Sequence, residues 1–132
     1  MTRSFMLDTD TCSFAIRGGS ARLRDLIARN AGSLCVSAVT AGELRYGALK
    51  RGSRRISESV SFLLSLLPTV PWDGDAANRY AEIRVALEET GTPIGNADTM
   101  IAASALAARC VLVTHNTAHF SRVSGLDIED WA

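Results

Sequence analysis

FMLD at residues 5–8 is a short apolar run that ends on an acid, and it is the most informative segment of this chain for predicting the fold. Three consecutive large apolar residues bounded by polar ones are typical of a buried strand. CVLVT at residues 110–114 has the same pattern, and LCV at residues 34–36 is a shorter version. Strands that alternate with helical segments predict an α/β fold, with a mostly parallel sheet of four to five strands covered by helices on both faces.

Weaker signals complete the predicted elements. TVPW at residues 69–72 is expected to form an edge strand, since proline cannot donate to a ladder. Residues 126–129 are a candidate fifth strand, and residues 92–97 are expected to form a loop. Apolar periodicity and capping residues predict six helices. The first three are a helix that Asp10 or Thr11 caps and that runs through Arg17, a helix over 21–29 that Ser20 caps, and a helix that Ser37 opens and that contains Glu43. The other three are a helix with apolar residues from Ile56 to Leu67, a helix from about 74 to 89 that Asp73 caps, and a helix that Asp98 opens.

Length and composition indicate one globular domain over residues 1–132, with 47% apolar and 21% charged residues. The 14 basic and 14 acidic residues cancel, so net charge alone indicates no nucleic-acid partner. The three cysteines form no C-x-x-C pair and are expected to be buried thiols of a reducing compartment. The longest apolar stretch, residues 100–113, is too short to span a bilayer core of ~30 Å. We therefore expect a soluble, cytoplasmic protein without a membrane partner.

Four polar positions are candidates for a catalytic site: Asp8, Glu43, Asp98 and Asn116. Two of them follow predicted strands, and parallel sheets bind ligands beyond the carboxyl ends of their strands. Oxygen ligands of this kind suit Mg²⁺ or Mn²⁺, which would support hydrolysis of a phosphate ester. Carboxylates crowded without a metal are expected to have raised proton affinity.

Each position also has a purely structural interpretation. Asp98 and Asp8 could each cap a helix, and Asn116 could form a turn. Glu43 is harder to explain in that way, because its neighbours are apolar or small and an unpaired buried carboxylate is costly.

Five phrases of the sequence resemble the PIN-domain ribonucleases, and closely the VapC toxins of bacterial toxin–antitoxin pairs. They cover nearly the whole chain: FMLDTD at 5–10, SAVTAGELRYG at 37–47, PIGNAD at 93–98 followed by IAA at 101–103, LVTHNT at 112–117, and GLDIEDW at 125–131. The resemblance implies a PIN-like three-layer α/β/α sandwich. It implies an Mg²⁺- or Mn²⁺-dependent endoribonuclease that cuts a structured RNA, often transfer RNA.

The resemblance also assigns roles to residues. Asp8, Glu43 and Asp98 match the family's three acids, which bind metal and act in catalysis. Asn116 matches a fourth catalytic position that is acidic in many PIN domains. Thr114 and Asp10 are candidates for residues that contact and orient the metal ligands.

The implied partners are a VapB-type antitoxin, which also provides the only link to DNA, and a second copy of the chain. A homodimer with its antitoxins would form a heterotetramer or a larger assembly. Candidate residues for an antitoxin groove are Leu23, Ile27, Leu49 and Ile56.

A basic cluster follows Glu43 by one to three helical turns, and its residues 50–55 are predicted to form a turn between two helices. Its members are candidates for contact with RNA phosphates, or for solvated helix ends: Arg45, Lys50, Arg51, Arg54 and Arg55. His115 and His119 are four residues apart, but without further zinc-ligand spacing they indicate no zinc site.

Three alternative functions are considered. A haloacid-dehalogenase-type phosphatase would use Asp8 as nucleophile and Asp10 as acid/base, although the only lysine, Lys50, is badly placed for it. A phosphate-receiving signalling domain would need a late lysine that this chain lacks. A catalytically inactive PIN-like RNA-binding module is the third alternative.

Overall fold

A parallel sheet of five strands forms the centre of the computed structural model, which describes residues 3–132. The strand order is β3-β2-β1-β4-β5, and every pair is parallel. The strands are β1 (Phe5–Leu7), β2 (Leu34–Ser37), β3 (Thr69–Val70), β4 (Val111–Val113) and β5 (Ile128–Glu129). The helices are α1 (Thr9–Ile16), α2 (Ala21–Arg29), α3 (Ala38–Arg51), α4 (Arg54–Leu66), α5 (Gly74–Glu89), α6 (Asn96–Ala107) and α7 (Thr117–Phe120), and Ala31–Ser33 forms a 3₁₀ turn. The predicted α/β sandwich is confirmed.

Helices cover both faces of the sheet because successive strand residues point to opposite sides. Phe5 and Leu7 belong to a core shared with α1 to α4, whereas Met6 between them packs with α5, α6 and α7. All three residues of β1 are buried. This double burial explains why the strand is an unbroken apolar run without alternation.

Several helix starts differ from the prediction. Asp8, and not Asp10 or Thr11, caps α1 by accepting the backbone N–H of Thr11 at 2.8 Å. Asp98 does not open its helix: α6 begins at Asn96, so that Asp98 lies in the first turn. Gly95 takes the cap position with φ +93°, a conformation that favours glycine.

Helices also extend into segments that were expected to be irregular. The predicted basic turn is mostly helical, because α3 continues to Arg51 and α4 begins at Arg54. Gly52, which lies between the two helices, has φ +64° and ends α3 in the left-handed conformation. No helix was predicted around His119, where the structure has α7, and β5 is shorter than predicted at Ile128–Glu129.

Burial differs from expectation at three residues. Phe62 and Leu66, which belong to the apolar face predicted for the helix from Ile56 to Leu67, are 66% and 60% exposed. Cys12 and Cys35 are buried thiols as predicted, but Cys110 is only half-buried. Its sulfur lies 3.8 Å from that of Cys35. Within residues 3–132 no helix has the length and hydropathy needed to cross a membrane.

Candidate active site

The reversal of strand order places the candidate site between β1 and β4. The chain leaves β1 toward β2 on one side, whereas β4 and β5 lie on the other side. A crevice opens at such a switch point, outside the carboxyl ends of the strands. Asp8 directly follows β1 and Thr114 directly follows β4, so both side chains lie at this edge.

Asp8 is the most buried of the candidate acids, with 3% of its surface exposed. Its carboxylate accepts the Thr11 N–H at 2.8 Å, and the Thr114 side chain is close enough to lower its pKa. Burial outweighs these contacts and raises the pKa of Asp8 above its usual range. Among residues 3–132 no cationic side chain forms an ion pair with it, so the buried charge lacks a counterion.

Asp98 faces Asp8 from the first turn of α6. Burial raises the pKa of Asp98, and the negative charge of Asp8 adds to this rise, while the nearby His119 opposes it. The expectation of raised proton affinity is therefore confirmed for both aspartates, although desolvation contributes more than mutual repulsion. The N-terminus of α6 provides partial positive charge beside Asp98.

Asn116 reaches Asp98 only through His119. Nδ1 of His119 lies 2.9 Å from Nδ2 of Asn116 and 3.5 Å from Oδ2 of Asp98. A protonated Nδ1 donates to the Asp98 carboxylate, whereas an unprotonated Nδ1 accepts from the Asn116 amide. The Asn116 backbone N–H donates to the Thr114 hydroxyl at 2.9 Å. Asn116 thus orients its neighbours.

Glu43 joins the site from α3 through Thr9. The Thr9 hydroxyl lies 2.6 Å from Oε1 of Glu43 and 3.2 Å from the hydroxyl of Thr40, which is fully buried. Thr9 is the residue after Asp8, so this contact connects the start of α3 to the end of β1. Thr40 precedes Glu43 by three residues and therefore shares its helix face.

The donor set suits a divalent cation. Asp8, Asp98 and Glu43 offer hard carboxylate oxygens, and the uncompensated burial of Asp8 favours a positive ion beside it. Asp10 adds a fourth negative charge close enough to raise the pKa of both Asp8 and Asp98. In the described part of the chain, no three potential ligands already stand close enough together to hold an ion. Side chains would therefore have to turn toward a bound cation.

The predicted basic cluster divides between different surroundings. Arg51 lines a cavity of about 140 Å³ together with Glu43. Arg54 is paired with Glu58 at 3.0 Å, and Arg55 lines an apolar groove between helices. Nζ of Lys50 lies over the Tyr46 ring, 5.8 Å from the ring centroid. Arg45 is exposed on α3. The structure therefore brings only Arg51 to a cavity that Glu43 shares.

Sequence reasoning missed Thr9, Thr40 and Arg17. The two threonines could have been found from their spacing, since Thr9 adjoins Asp8 and Thr40 lies one turn before Glu43. Arg17, at the end of α1, lines the same 140 Å³ cavity as Glu43. A single arginine after a helix gives no local signal, because only tertiary packing brings it beside α3.

Comparisons with known proteins bear on this site. A family model described as PIN domain matches residues 5–126. The tRNA(fMet)-specific endonuclease VapC of Shigella flexneri is 39% identical over 129 residues, which cover 97% of this chain and 98% of that protein. The crystal structure of DNA-bound VapBC from Salmonella typhimurium matches with a TM-score of 0.89 and 36% identity, over 99% of this chain and 100% of that one. That of VapBC2 from Rickettsia felis, bound to a promoter DNA fragment, has a TM-score of 0.89 and 30% identity over 97% and 98% of the two chains.

Proposed function

The chain belongs to the PIN-domain family and is related throughout its length to VapC ribonucleases, and from this premise we propose that it is a cytoplasmic, metal-dependent endoribonuclease toxin. One observation carries the proposal at the level of chemistry: the buried Asp8 carboxylate faces Asp98 at the sheet's switch point without a counterion. The Shigella flexneri relative is named for initiator transfer RNA, so transfer RNA is the first substrate to test.

We assign the cation to Asp8, Asp98 and Glu43. Mg²⁺ or Mn²⁺ bound there would supply positive charge that neutralises the attacked phosphodiester and eases deprotonation of water. Asp8 is held in place by its capping bond, and Asp98 is flanked by the His119 ring that Asn116 orients. These contacts limit the directions in which the two carboxylates can turn toward a bound cation.

Glu43 is also the residue we assign to proton transfer. Its Oε1 is occupied by the Thr9 hydroxyl, which leaves Oε2 to accept a proton from the attacking water. The water oxygen bonds to phosphorus in line as the bond from phosphorus to O3′ breaks, and O3′ takes a proton from solvent. The products are a 5′-phosphate and a 3′-hydroxyl.

A cleavage assay tests this function directly. Purified protein without antitoxin is incubated with total bacterial RNA and with transfer RNA, with Mg²⁺, with Mn²⁺ or with EDTA, and the new ends are sequenced. Discrete EDTA-sensitive cuts with 5′-phosphate ends support the nuclease. RNA binding without any cut under either metal would instead favour the inactive RNA-binding module. The family match and the relatives already favour the nuclease over the phosphatase and the phosphate receiver.

Arg51→Gln is expected to raise KM for RNA several-fold and leave kcat nearly unchanged, because Arg51 lies beside Glu43 and can contact a substrate phosphate. Losing one phosphate contact should also make the salt dependence of binding shallower by about one unit of slope. Salt-dependent binding of a short RNA to the two proteins measures both effects. Arg54→Gln is the matched control, because Arg54 is already paired with Glu58. Equal effects of the two variants would refute a specific contact by Arg51.

The relatives crystallised as toxin–antitoxin complexes indicate a VapB-type partner for this chain. We place an antitoxin segment in a groove of about 580 Å³ between α1, α2 and α4. Phe62 and Leu66 are exposed along it, and two arginines, Arg24 and Arg55, line it against one acid, Glu58. An amphipathic helix with acidic flanks would match this surface.

Of the four groove candidates taken from sequence, Ile27 lines this groove, whereas Leu23 is fully buried and Ile56 lines the small cavity beside Glu43. Leu49 is 78% exposed on α3 and does not line the groove.

Phe62→Glu is expected to weaken neutralisation by the antitoxin at least about tenfold, because it puts a charge into an apolar contact. RNA cleavage without antitoxin should remain at the wild-type level. Titration of the antitoxin against a cleavage assay measures the change. Val85→Glu, an exposed apolar residue on α5, is the matched control. Unchanged neutralisation of Phe62→Glu would place the antitoxin elsewhere.

A further inference from the structure

A second cavity, of about 320 Å³, is lined largely by residues of α1 and has no role in the function described so far. We call it the Phe14 cavity, and its lining includes Asp10, Thr11, Phe14, Arg17, Leu23 and His115. Its volume falls within the ~300–1,000 Å³ that small-molecule sites occupy. Leu23 is fully buried, so this part of the wall is apolar.

Phe14 gives the cavity an aromatic surface. Its side chain is half-buried and packs on the core of α1 to α4, which limits its movement. A fixed aromatic ring beside an apolar wall is the surface on which nucleobases stack. His115 is held on the β4–α7 loop by a contact of 3.0 Å between its Nδ1 and Oδ2 of Asp130.

Two opposite charges line the Phe14 cavity without neutralising each other. Within residues 3–132, neither the Asp10 carboxylate nor the Arg17 guanidinium forms an ion pair or a side-chain hydrogen bond. An unpaired carboxylate accepts from N–H groups, and an unpaired guanidinium donates to oxygen or ring nitrogen. Guanine offers partners for both: N1–H and the N2 amine are donors on its Watson–Crick edge, O6 accepts on the same edge, and N7 accepts on the Hoogsteen edge.

The Phe14 cavity is also close to the reacting centre. Asp10 and Thr11 belong to the first turn of the helix that Asp8 caps. The charge of Asp10 raises the pKa of both Asp8 and Asp98, so its carboxylate lies near the proposed metal ligands. A nucleotide next to the cut phosphodiester could therefore place its base here while its phosphate stays beside Asp8.

We propose that the Phe14 cavity binds a guanine base adjacent to the scissile phosphodiester and thereby selects the cleavage site. This inference rests on the proposed ribonuclease function and names a specificity determinant for it. Phe14 stacks on the base, Asp10 accepts from N1–H and N2–H, and Arg17 donates to O6 or N7. Asp10 consequently has a role in recognition besides its influence on the metal ligands.

The test uses the full-length toxin and a pool of short RNAs of random sequence, with the cut ends sequenced. Wild-type protein should cut at phosphodiesters beside guanine at least about tenfold more often than beside the other bases. Arg17→Gln and Phe14→Leu should each reduce that preference severalfold. Leucine retains the apolar packing of position 14 while removing the stacking surface. Arg29→Gln removes a surface cation that lies outside the cavity and should keep the full preference.

A second measurement separates binding from cleavage. Asp98→Asn protein, which is expected to be inactive, is titrated with matched short RNAs that contain guanine, or inosine in its place. Inosine lacks the N2 amine and should bind several-fold more weakly to protein with Asp10, but no more weakly once Asp10→Ala removes the acceptor oxygens.

The outcomes distinguish this inference from the function on which it rests. Absence of any metal-dependent cut by the wild-type protein would overturn the ribonuclease itself. Efficient cutting without base preference, or a preference unchanged in both cavity variants, would overturn the guanine site alone. Loss of antitoxin neutralisation in these variants, with base preference intact, would assign the cavity to the antitoxin and also overturn the proposal.

Discussion

Asp8→Asn is expected to slow RNA cleavage by about 10³-fold, because it removes a charge from the proposed metal site while the helix start is kept. Asparagine caps helices about as well as aspartate, so the bond to the Thr11 N–H should survive. Single-turnover cleavage of the identified RNA measures the loss. Asp73→Asn is a matched control, because Asp73 caps α5 through the Ala76 N–H at 2.9 Å and lies away from the site.

The same substitution should leave the metal-free protein at least as stable as the wild type near neutral pH. The folded protein has a raised pKa at Asp8, so it binds this proton more tightly than the unfolded chain does. The free energy of unfolding contributed by Asp8 therefore falls as the pH rises from the ordinary aspartate value through the raised one. Urea unfolding across this pH range should show the decrease in the wild type and a smaller one in Asp8→Asn. Marked destabilisation of Asp8→Asn would mean that the charge serves the fold.

Mn²⁺ at about 100 times its dissociation constant is expected to raise Tm by roughly 10 °C, because an ion that binds only the folded state adds its binding free energy to stability. The uncompensated burial of Asp8 is the physical reason for a strong response. Thermal unfolding monitored by circular dichroism, with and without the ion, measures the shift. The shift should shrink as the pH is lowered from about 8 to about 5, since protons compete for the same carboxylates.

Asp98→Asn should largely remove this Mn²⁺ response. Asp75→Asn is the matched control, because Asp75 also lies in the first turn of a helix but outside the site. Both variants lose a favourable charge near a helix N-terminus, so only a metal ligand accounts for a difference between them. An equal shift of Tm in wild type and Asp98→Asn would remove Asp98 from the ligand set.

The observed helix starts show where capping residues predict the beginning of a helix correctly and where they do not. Ser20, Ser37 and Asp73 were predicted as caps and are caps, since each side chain bonds to a backbone N–H three residues ahead. At Asp98 the same logic was wrong, because Gly95 starts α6 earlier with a positive φ that glycine tolerates. One residue can also have both a capping role and a role in the site: Asp8 caps α1 and is the buried acid of the candidate site.

The amino-acid pattern by itself determined the layered α/β fold and the acids that make up the candidate site. Buried parallel strands must be continuous apolar runs, and a strand-end acid has few other uses than a cap or a ligand. Tertiary structure alone decided how these acids are held. It connected Glu43 to Thr9, placed His119 between Asn116 and Asp98, and brought two unpaired opposite charges to the Phe14 cavity. Such contacts join residues far apart in the chain, so no local periodicity records them.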